Sequence, residues 1–296
     1  MGKTILVTGA SGQFGRLVIE NLLASGKVDA SDIIAGSRHT AKLADLAARG
    51  VQTRTVDFDA PAETLSAAFA GVDTLLIIST DALDANGTRL KQHKAAIAAA
   101  KAAGVGHIAY TSMPNAETSL VTFAPDHLGT EAAIKESGIP HTILRNSWYV
   151  ENLFLSLPAA LASGTWYTSA GEGKTPYIAR ADLAAAAAGA LLIAGAESRT
   201  YTLTGDKAYT NREIAALVTA ITGKPIAVVD LDDDSLAAGL SHAGVPEAFI
   251  PTFVSFDRNT REKLFDIVTD DVRTLSGRAP QSLERVLEAS KAAFGA

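Results

Sequence analysis

Short apolar and β-branched runs occupy residues 4–7, 33–37, 51–56, 74–79, 107–112 and 141–145. The first, Thr4-Ile5-Leu6-Val7, has the composition of a parallel strand buried on both faces. Between the runs, apolar positions recur at helical spacing. Phe14, Leu17, Val18, Leu22 and Leu23 form the first such set, and further helices are predicted over 40–49, 62–70, 87–103 and 126–137. Gly104 and Gly138 stand where two of these helices would be capped. Strand and helix in alternation predict a parallel sheet with helices on both faces.

The pattern loosens from about residue 150, where Pro158, Gly164, Gly171-Glu172-Gly173, Pro176 and Gly223-Lys224-Pro225 signal turns. A run at 199–204 predicts a strand returning to the main sheet, and the alanine-rich stretch 182–196 a buried helix too short to span a bilayer. Thr210-Asn211-Arg212-Glu213 has capping-box spacing ahead of an apolar helix over 214–221. The expected division is a first domain over 1–152, to which 179–205 return, and a smaller α/β lobe built mainly from 153–296.

Composition narrows the chemistry. A net charge of −6 with no Lys/Arg cluster leaves no electrostatic footprint for nucleic acid or an anionic membrane. The chain has no cysteine, which removes disulfides, thiolate nucleophiles and Cys-based metal sites. Its six histidines form no metal-binding pair, and no Gly-x-Ser-x-Gly elbow occurs. Residues 168–175 resemble a phosphate-binding loop, but Thr168 replaces its first glycine and Pro176 follows where a helix should continue. Asp230 and Asp232 to Asp234 read as a solvated turn or helix start. The first strand opens after Met1-Gly2-Lys3, so a cytoplasmic protein is expected, with self-association into a homo-oligomer left open.

The connection from first strand to first helix carries the most specific signal. Gly9, Gly12 and Gly15 stand three residues apart in Thr8-Gly9-Ala10-Ser11-Gly12-Gln13-Phe14-Gly15. Gly9 permits a tight turn, Gly12 lets the backbone approach a pyrophosphate, and Gly15 lets the helix pack closely. The helix N-terminus supplies N–H donors and partial positive charge for phosphate. The segment Gly9, Ala10, Ser11, Gly12, Gln13, Phe14, Gly15 therefore reads as a dinucleotide-binding turn, and the chain as a Rossmann-type doubly wound parallel sheet with a smaller C-terminal substrate lobe. The second run ends Ala35-Gly36-Ser37-Arg38-His39 without the carboxylate that would hold the ribose hydroxyls of NAD. Arg38, with Lys42 one turn onward, instead suits the extra phosphate of NADPH. Asp57, followed by Phe58, either flanks the adenine or caps a turn.

Thr8 to Gly15, Arg38, Asp57, Ile77-Ile78-Ser79, Ala109-Tyr110-Thr111-Ser112 and the stretch Gly138 to Asn146 together resemble the NmrA-like group of atypical short-chain dehydrogenases. Within it the run Leu144-Arg145-Asn146-Ser147-Trp148-Tyr149-Val150-Glu151-Asn152 is most similar to bacterial NAD(P)H:quinone oxidoreductases and triphenylmethane reductases. The resemblance extends across nearly the whole chain, including Arg180-Ala181-Asp182 and Leu203-Thr204-Gly205. It implies NADPH as cofactor, with Ser79 and Thr111 approaching its nicotinamide half, and a quinone or dye-like acceptor, with no flavin or metal.

One departure bears on mechanism. Anchored on Glu131, the helix over 126–137 puts Phe123 where short-chain dehydrogenases carry their tyrosine and His127 where they carry their lysine. A ketone substrate would lose a proton donor worth about 10²- to 10⁴-fold. A quinone yields a delocalised anion of acidity near the ~10 of a phenol and can dispense with it. His127 is either a replacement donor or a polar helix-start residue. Asn146 and Tyr149 fall at the carboxyl end of the sixth strand, where open α/β sheets place ligands. The alternative is a non-catalytic NADP-binding sensor, which the same group contains. The Asn146 to Asn152 run favours the reductase.

Overall fold

The computed structural model describes residues 2–84 and 86–294. Seven parallel strands form the main sheet: β1 (Ile5–Val7), β2 (Ile33–Ser37), β3 (Gln52–Thr55), β4 (Thr74–Ile77), β5 (His107–Ser112), β6 (His141–Asn146) and, after an intervening β7 (Thr165–Thr168), β8 (Arg199–Leu203). Their order is β3-β2-β1-β4-β5-β6-β8, so the chain reverses direction across the sheet between β1 and β4. That reversal opens a crevice at the strands' carboxyl ends. β7 and β9 (Ala227–Asp230) pair with each other, parallel, outside this sheet.

Central strands β1, β2, β4 and β5 are buried at every position, β1, β2 and β4 being largely apolar and β5 burying His107, Thr111 and Ser112 as well, whereas β3 is an exposed polar edge. One face of the sheet carries α1 (Gln13–Ser25); α2 (Ala44–Ala47) follows on the way to β3. The opposite face carries α3 (Ala62–Ala68), α4 (Thr88–Ala102) and α5 (Ala124–Ser137), with Leu65, Phe69, Ile97 and Ile134 in its core. The helix predicted over 40–49 is instead a 3-10 turn, Thr40–Leu43, running into α2. It buries only Leu43 and Leu46, too little apolar surface to hold a longer helix.

Past β6 come α6 (Leu157–Ser163) and α7 (Arg180–Ile193). α7 lies against α1 because its face is alanine, with Ala184, Ala187 and Ala190 buried beside Val18 and Leu22. The remaining helices are α8 (Asn211–Thr222), α9 (Asp233–His242), α10 (Ile250–Arg261), α11 (Asp271–Ser276) and α12 (Leu283–Ala289). α8 opens with the predicted capping box: Thr210 accepts from the Glu213 N–H, and Glu213 accepts from the Thr210 N–H. α11 makes a return to the main sheet that the sequence pattern does not announce. It packs on α7 and β8 so tightly that a Cβ at Gly189 would stand 1.9 Å from the Leu275 carbonyl. Trp166, Ile214, Val218, Leu283 and Leu287 form a separate core. Asp232 caps α9 through the Ser235 N–H, while Asp230 and Asp233 pair with arginines, so the acidic run is structural. Gly173, in the loop that mimics a phosphate-binding sequence, is packed against the Thr260 carbonyl. Among the described residues no helix is long and apolar enough to cross a membrane.

Candidate active site

The β1–α1 turn is built by its glycines. Gly9 adopts φ +60, a left-handed conformation costly for any side chain. The Gly12 N–H closes the turn onto the Gly9 carbonyl at 2.9 Å, and a Cβ at Gly15 would lie 2.5 Å from that same carbonyl oxygen. Gly15 thus seats the helix against the turn rather than against the strand. Gly12 is the N-cap of α1 and offers no side-chain acceptor, so the first-turn N–H groups point outward without an internal cap. Gly9, Ser11 and Gly12 line a groove of about 300 Å³, joined by Arg38, Asp57 and Ser79. The Ser37 hydroxyl donates to Ser11 at 2.8 Å. Arg38 is exposed, and its guanidinium forms no hydrogen bond or ion pair among the described residues. Asp57 lines the groove and also accepts from the Asp59 N–H at 3.1 Å, the bond of a turn residue.

The other turn residues act from behind the groove. Ala10 is fully buried, its N–H donating to the Gly36 carbonyl at 3.0 Å. Gln13 accepts from Arg180, and Phe14 stacks on Tyr149 with 6.5 Å between ring centres. Lys42 is exposed and does not line the groove; its carbonyl holds Arg16 at 3.0 Å.

The run predicted over 74–79 leaves the sheet at Ile77, because side chains replace the ladder beyond it. The Ile78 N–H donates to Thr8 Oγ1 and the Ser79 N–H to Thr111 Oγ1, each at 2.9 Å. Ser79 is thereby placed between the groove and a second cavity of about 470 Å³. Thr111, His127, Asn146 and Tyr149 all line this second cavity. Tyr149 is held by Phe14, on which it stacks, and by the Arg180 guanidinium, which lies 5.2 Å over its ring. Trp148 packs on Phe123 (6.4 Å, nearly parallel) and edge-on to Phe256 of α10 (4.7 Å). The lobe thus closes the cavity with aromatic rings.

Behind the cavity runs a buried polar chain whose proton positions follow from its donors. Arg89 Nη2, on α4, can only donate, so His127 Nε2 accepts from it at 3.0 Å. His127 Nδ1 then carries the hydrogen and donates to the Tyr110 hydroxyl at 2.8 Å. The Thr80 N–H donates to His93 Nε2 at 3.0 Å, leaving His93 Nδ1 to donate to Thr130 at 2.9 Å. Burial, then the Arg89 charge, pushes His93 down to about 3 and holds His127 well below the usual imidazole range. Burial likewise raises the Tyr110 and Tyr149 phenols. Glu131, the anchor of the helix alignment, is buried in a fork with Arg145 at 2.7 and 3.0 Å and accepts from Ser112. It supports the strand ends and does not line either cavity.

Sequence reasoning missed Arg89, Tyr110 and His93, as well as the lobe's Phe256. Arg89 is one of four cations on a polar and alanine helix, and no spacing sets it apart from the lysines or ties it to His127 38 positions away. Tyr110 lies within a quoted strand motif, but its hydroxyl has meaning only once His127 is beside it.

A buried polar atom is normally paired. Along these two cavities several are not: Thr80 Oγ1, Gln92 Oε1, both amide atoms of Asn146, Ser147 Oγ and Arg89 Nε. Unpaired polar atoms beside an uncapped helix start, an open Arg38 and a glycine-built turn fit a bound dinucleotide phosphate, ribose and carboxamide. The fold and the crevice define a dinucleotide-binding α/β protein. The family described as NAD(P)H-binding matches residues 9–192, and the chain belongs to that NmrA-like NAD(P)H-binding family. It is 42% identical over 273 residues to quinone oxidoreductase 2 of Escherichia coli, covering 92% of each chain. It is 30% identical to the NAD(P)H azoreductase of Xenophilus azovorans, covering 99% of each. Among solved structures it resembles the E. coli NADPH-dependent quinone oxidoreductase complexed with NADPH, at a TM-score of 0.91 and 38% identity, covering 96% of this chain and 99% of that one. The Citrobacter triphenylmethane reductase complexed with NADP(H) superposes at 0.88 and 37% identity, covering 98% and 99%.

Proposed function

We propose that this protein is an NADPH-dependent reductase of quinones and similar conjugated, electron-poor acceptors. The observation that carries the reading is the line of unpaired buried polar atoms running from the glycine turn to Asn146, where the groove meets an aromatic-walled cavity. Bound NADPH supplies a hydride, that is, two electrons and one proton. The first-turn N–H groups of α1 with Gly9 and Gly12 hold the pyrophosphate, and Arg38 the extra phosphate. Ser79, Thr111 and Asn146 orient the nicotinamide end. Tyr149, fixed by Phe14 and Arg180, and Phe123 with Trp148 form flat walls for a planar acceptor.

His127 acts here as a positioning residue. Both its nitrogens are engaged inside the protein, and its environment disfavours the imidazolium a proton donor would need. The second proton of quinone reduction then comes from solvent. Rate enhancement rests on holding donor and acceptor together. Residues 153–296, apart from the segments returning to the main sheet, serve in this reading as the acceptor-binding lobe, and the cytoplasm is the compartment whose NADPH the groove draws on.

The test follows NADPH absorbance with a panel of quinones and dyes. Saturable oxidation with quinones is expected. Tight NADPH binding with no turnover of any acceptor would instead leave the protein a dinucleotide sensor.

A further inference from the structure

Among the described residues Arg89 is the one cation that lines the acceptor cavity, and no carboxylate pairs with it. It is 7% exposed, and it forms no ion pair among the described residues. The carboxylates that feel its charge are Asp126 on α5 and Asp81 in the loop after β4, and neither bonds to it. Of its donors, Nη2 is held by His127, Nε is sealed and unpartnered, and Nη1 makes no bond. Its guanidinium carbon lies 5.1 Å over the ring of Phe123, which stands where short-chain dehydrogenases carry their tyrosine. Asp257, the carboxylate that also lines the cavity, is by contrast hydrogen-bonded: its Oδ2 accepts from Thr168 Oγ1 and the Ser169 N–H, each at 2.7 Å. A buried cation without a counterion is costly, and proteins retain one where a ligand completes it.

We infer that Arg89 is a catalytic and charge-selecting residue of the acceptor site. This rests on the reductase reading above. Its guanidinium hydrogen-bonds the acceptor oxygen on which negative charge gathers during reduction. The transferred C–H bond of NADPH breaks and its electron pair becomes the new bond to the acceptor, a π pair of the acceptor is displaced onto that oxygen, and a proton from water neutralises it; NADP+ is the oxidised product. The buried positive charge thus replaces the absent Tyr-x-x-x-Lys pair by electrostatics rather than by proton donation. It also ranks substrates: neutral and anionic quinones are favoured, and cationic triphenylmethane dyes, which lose their positive charge on reduction, gain nothing from Arg89 and are repelled on entry.

The experiment compares wild type with Arg89→Leu and Arg89→Lys on 1,4-naphthoquinone, 1,2-naphthoquinone-4-sulfonate and a cationic triphenylmethane dye. Taking the ratio of variant to wild type within each acceptor cancels the acceptors' intrinsic reactivities. Arg89→Leu is expected to lose about 10²- to 10³-fold in kcat/KM on both quinones while dye reduction holds or rises, with the NADPH dissociation constant unchanged. Arg89→Lys should restore the quinone preference in part. Binding of the sulfonate to the NADP+-loaded protein, followed by equilibrium dialysis, should weaken at least about tenfold in Arg89→Leu. If the leucine variant does not fold, Arg89→Gln, which keeps donors without charge, makes the same comparison. Equal losses on all three acceptors, or unchanged sulfonate binding, would overturn the assignment. A wild-type protein that turns over nothing, yet binds the sulfonate through Arg89, would sink the reductase reading and leave Arg89 as an anion site.

Discussion

Gly15→Ala probes how the dinucleotide turn is built. The added Cβ would lie 2.5 Å from the Gly9 carbonyl oxygen, 2.8 Å from its carbon and 3.0 Å from Ala10 Cα, all backbone atoms that no rotamer can move. To reach an ordinary contact, α1 must withdraw by about an ångström. It cannot do so freely, since Val18, Ile19 and Leu22 on the same helix are fully buried against the core that α7 completes. Overpacking of this kind costs about 1–3 kcal/mol, and here it also shifts the N–H groups that would face the pyrophosphate. Gly12 differs: its φ is −83 and a Cβ there meets only the Gly9 oxygen, at 3.3 Å. Gly12→Val should therefore abolish NADPH binding at a stability cost of about 1 kcal/mol, that of a poorer N-cap, whereas Gly15→Ala should weaken binding and cost about 1–3 kcal/mol. Urea denaturation read beside NADPH fluorescence titration separates the two effects. A Gly15→Ala protein with unchanged midpoint and unchanged affinity would refute this account of the turn.

Arg38 has no internal partner to lose, so Arg38→Ala should leave stability alone and weaken NADPH by about 1–2 kcal/mol, roughly 5- to 30-fold, the lower range suiting an exposed site; NADH affinity should not change, and equal losses for both cofactors would count against a phosphate contact. His93 lies at about 3 in the folded protein against ~6.5 unfolded, and His127 is displaced the same way. Between those values the unfolded chain binds protons that the folded chain refuses, so this contribution is complete above about pH 6.5 and is lost as pH falls towards 3, at up to about 1.4 kcal/mol per pH unit for each histidine; denaturation curves at pH 7 and 5 that coincide would contradict it. His127→Ala should lower the unfolding temperature yet cost under about tenfold in quinone turnover. An apparent pKa near ~6.5 in the pH-rate profile, abolished by that substitution, would make His127 the proton donor after all.

Where local pattern and global fold agree, the chain announces itself. The bounds of β2 and β5 follow from their runs alone, because a strand buried on both faces reads as a near-continuous stretch of apolar and β-favouring residues, with Ser37, Thr111 and Ser112 at the carboxyl ends. Gly9, Ser11, Gly12, Arg38, Asp57, Ser79, Thr111, His127, Asn146 and Tyr149 all fall along two adjoining cavities. They were legible because a doubly wound sheet puts every strand's carboxyl end on one rim, so a position in the strand order is also a position in space. That reasoning fails for groups whose place is set by helix packing. Lys42 counted as one turn beyond Arg38 on a regular helix, and the 3-10 turn found there leaves it off the groove. α11 carries no pattern of its own that says it returns to α7; the signal lies in Gly189 and the alanines that make room for it.

Arg89 is the sharpest case. The helix after β5 shows in sequence that the tyrosine and lysine are absent, but what fills their place arrives from a different helix. Only the packing of α4 on α5 brings the guanidinium over Phe123 and onto His127. His127, which occupies the lysine's position, has exchanged the lysine's charge for an acceptor nitrogen, and the positive charge has moved to the residue it accepts from. A histidine held neutral beside a buried arginine is consistent only if the arginine keeps the charge, since two adjacent buried cations would repel. The chain therefore conserves one positive charge at the reacting end of the crevice while giving up the proton that a tyrosine would deliver, which is the division of labour a quinone acceptor permits and a simple ketone does not.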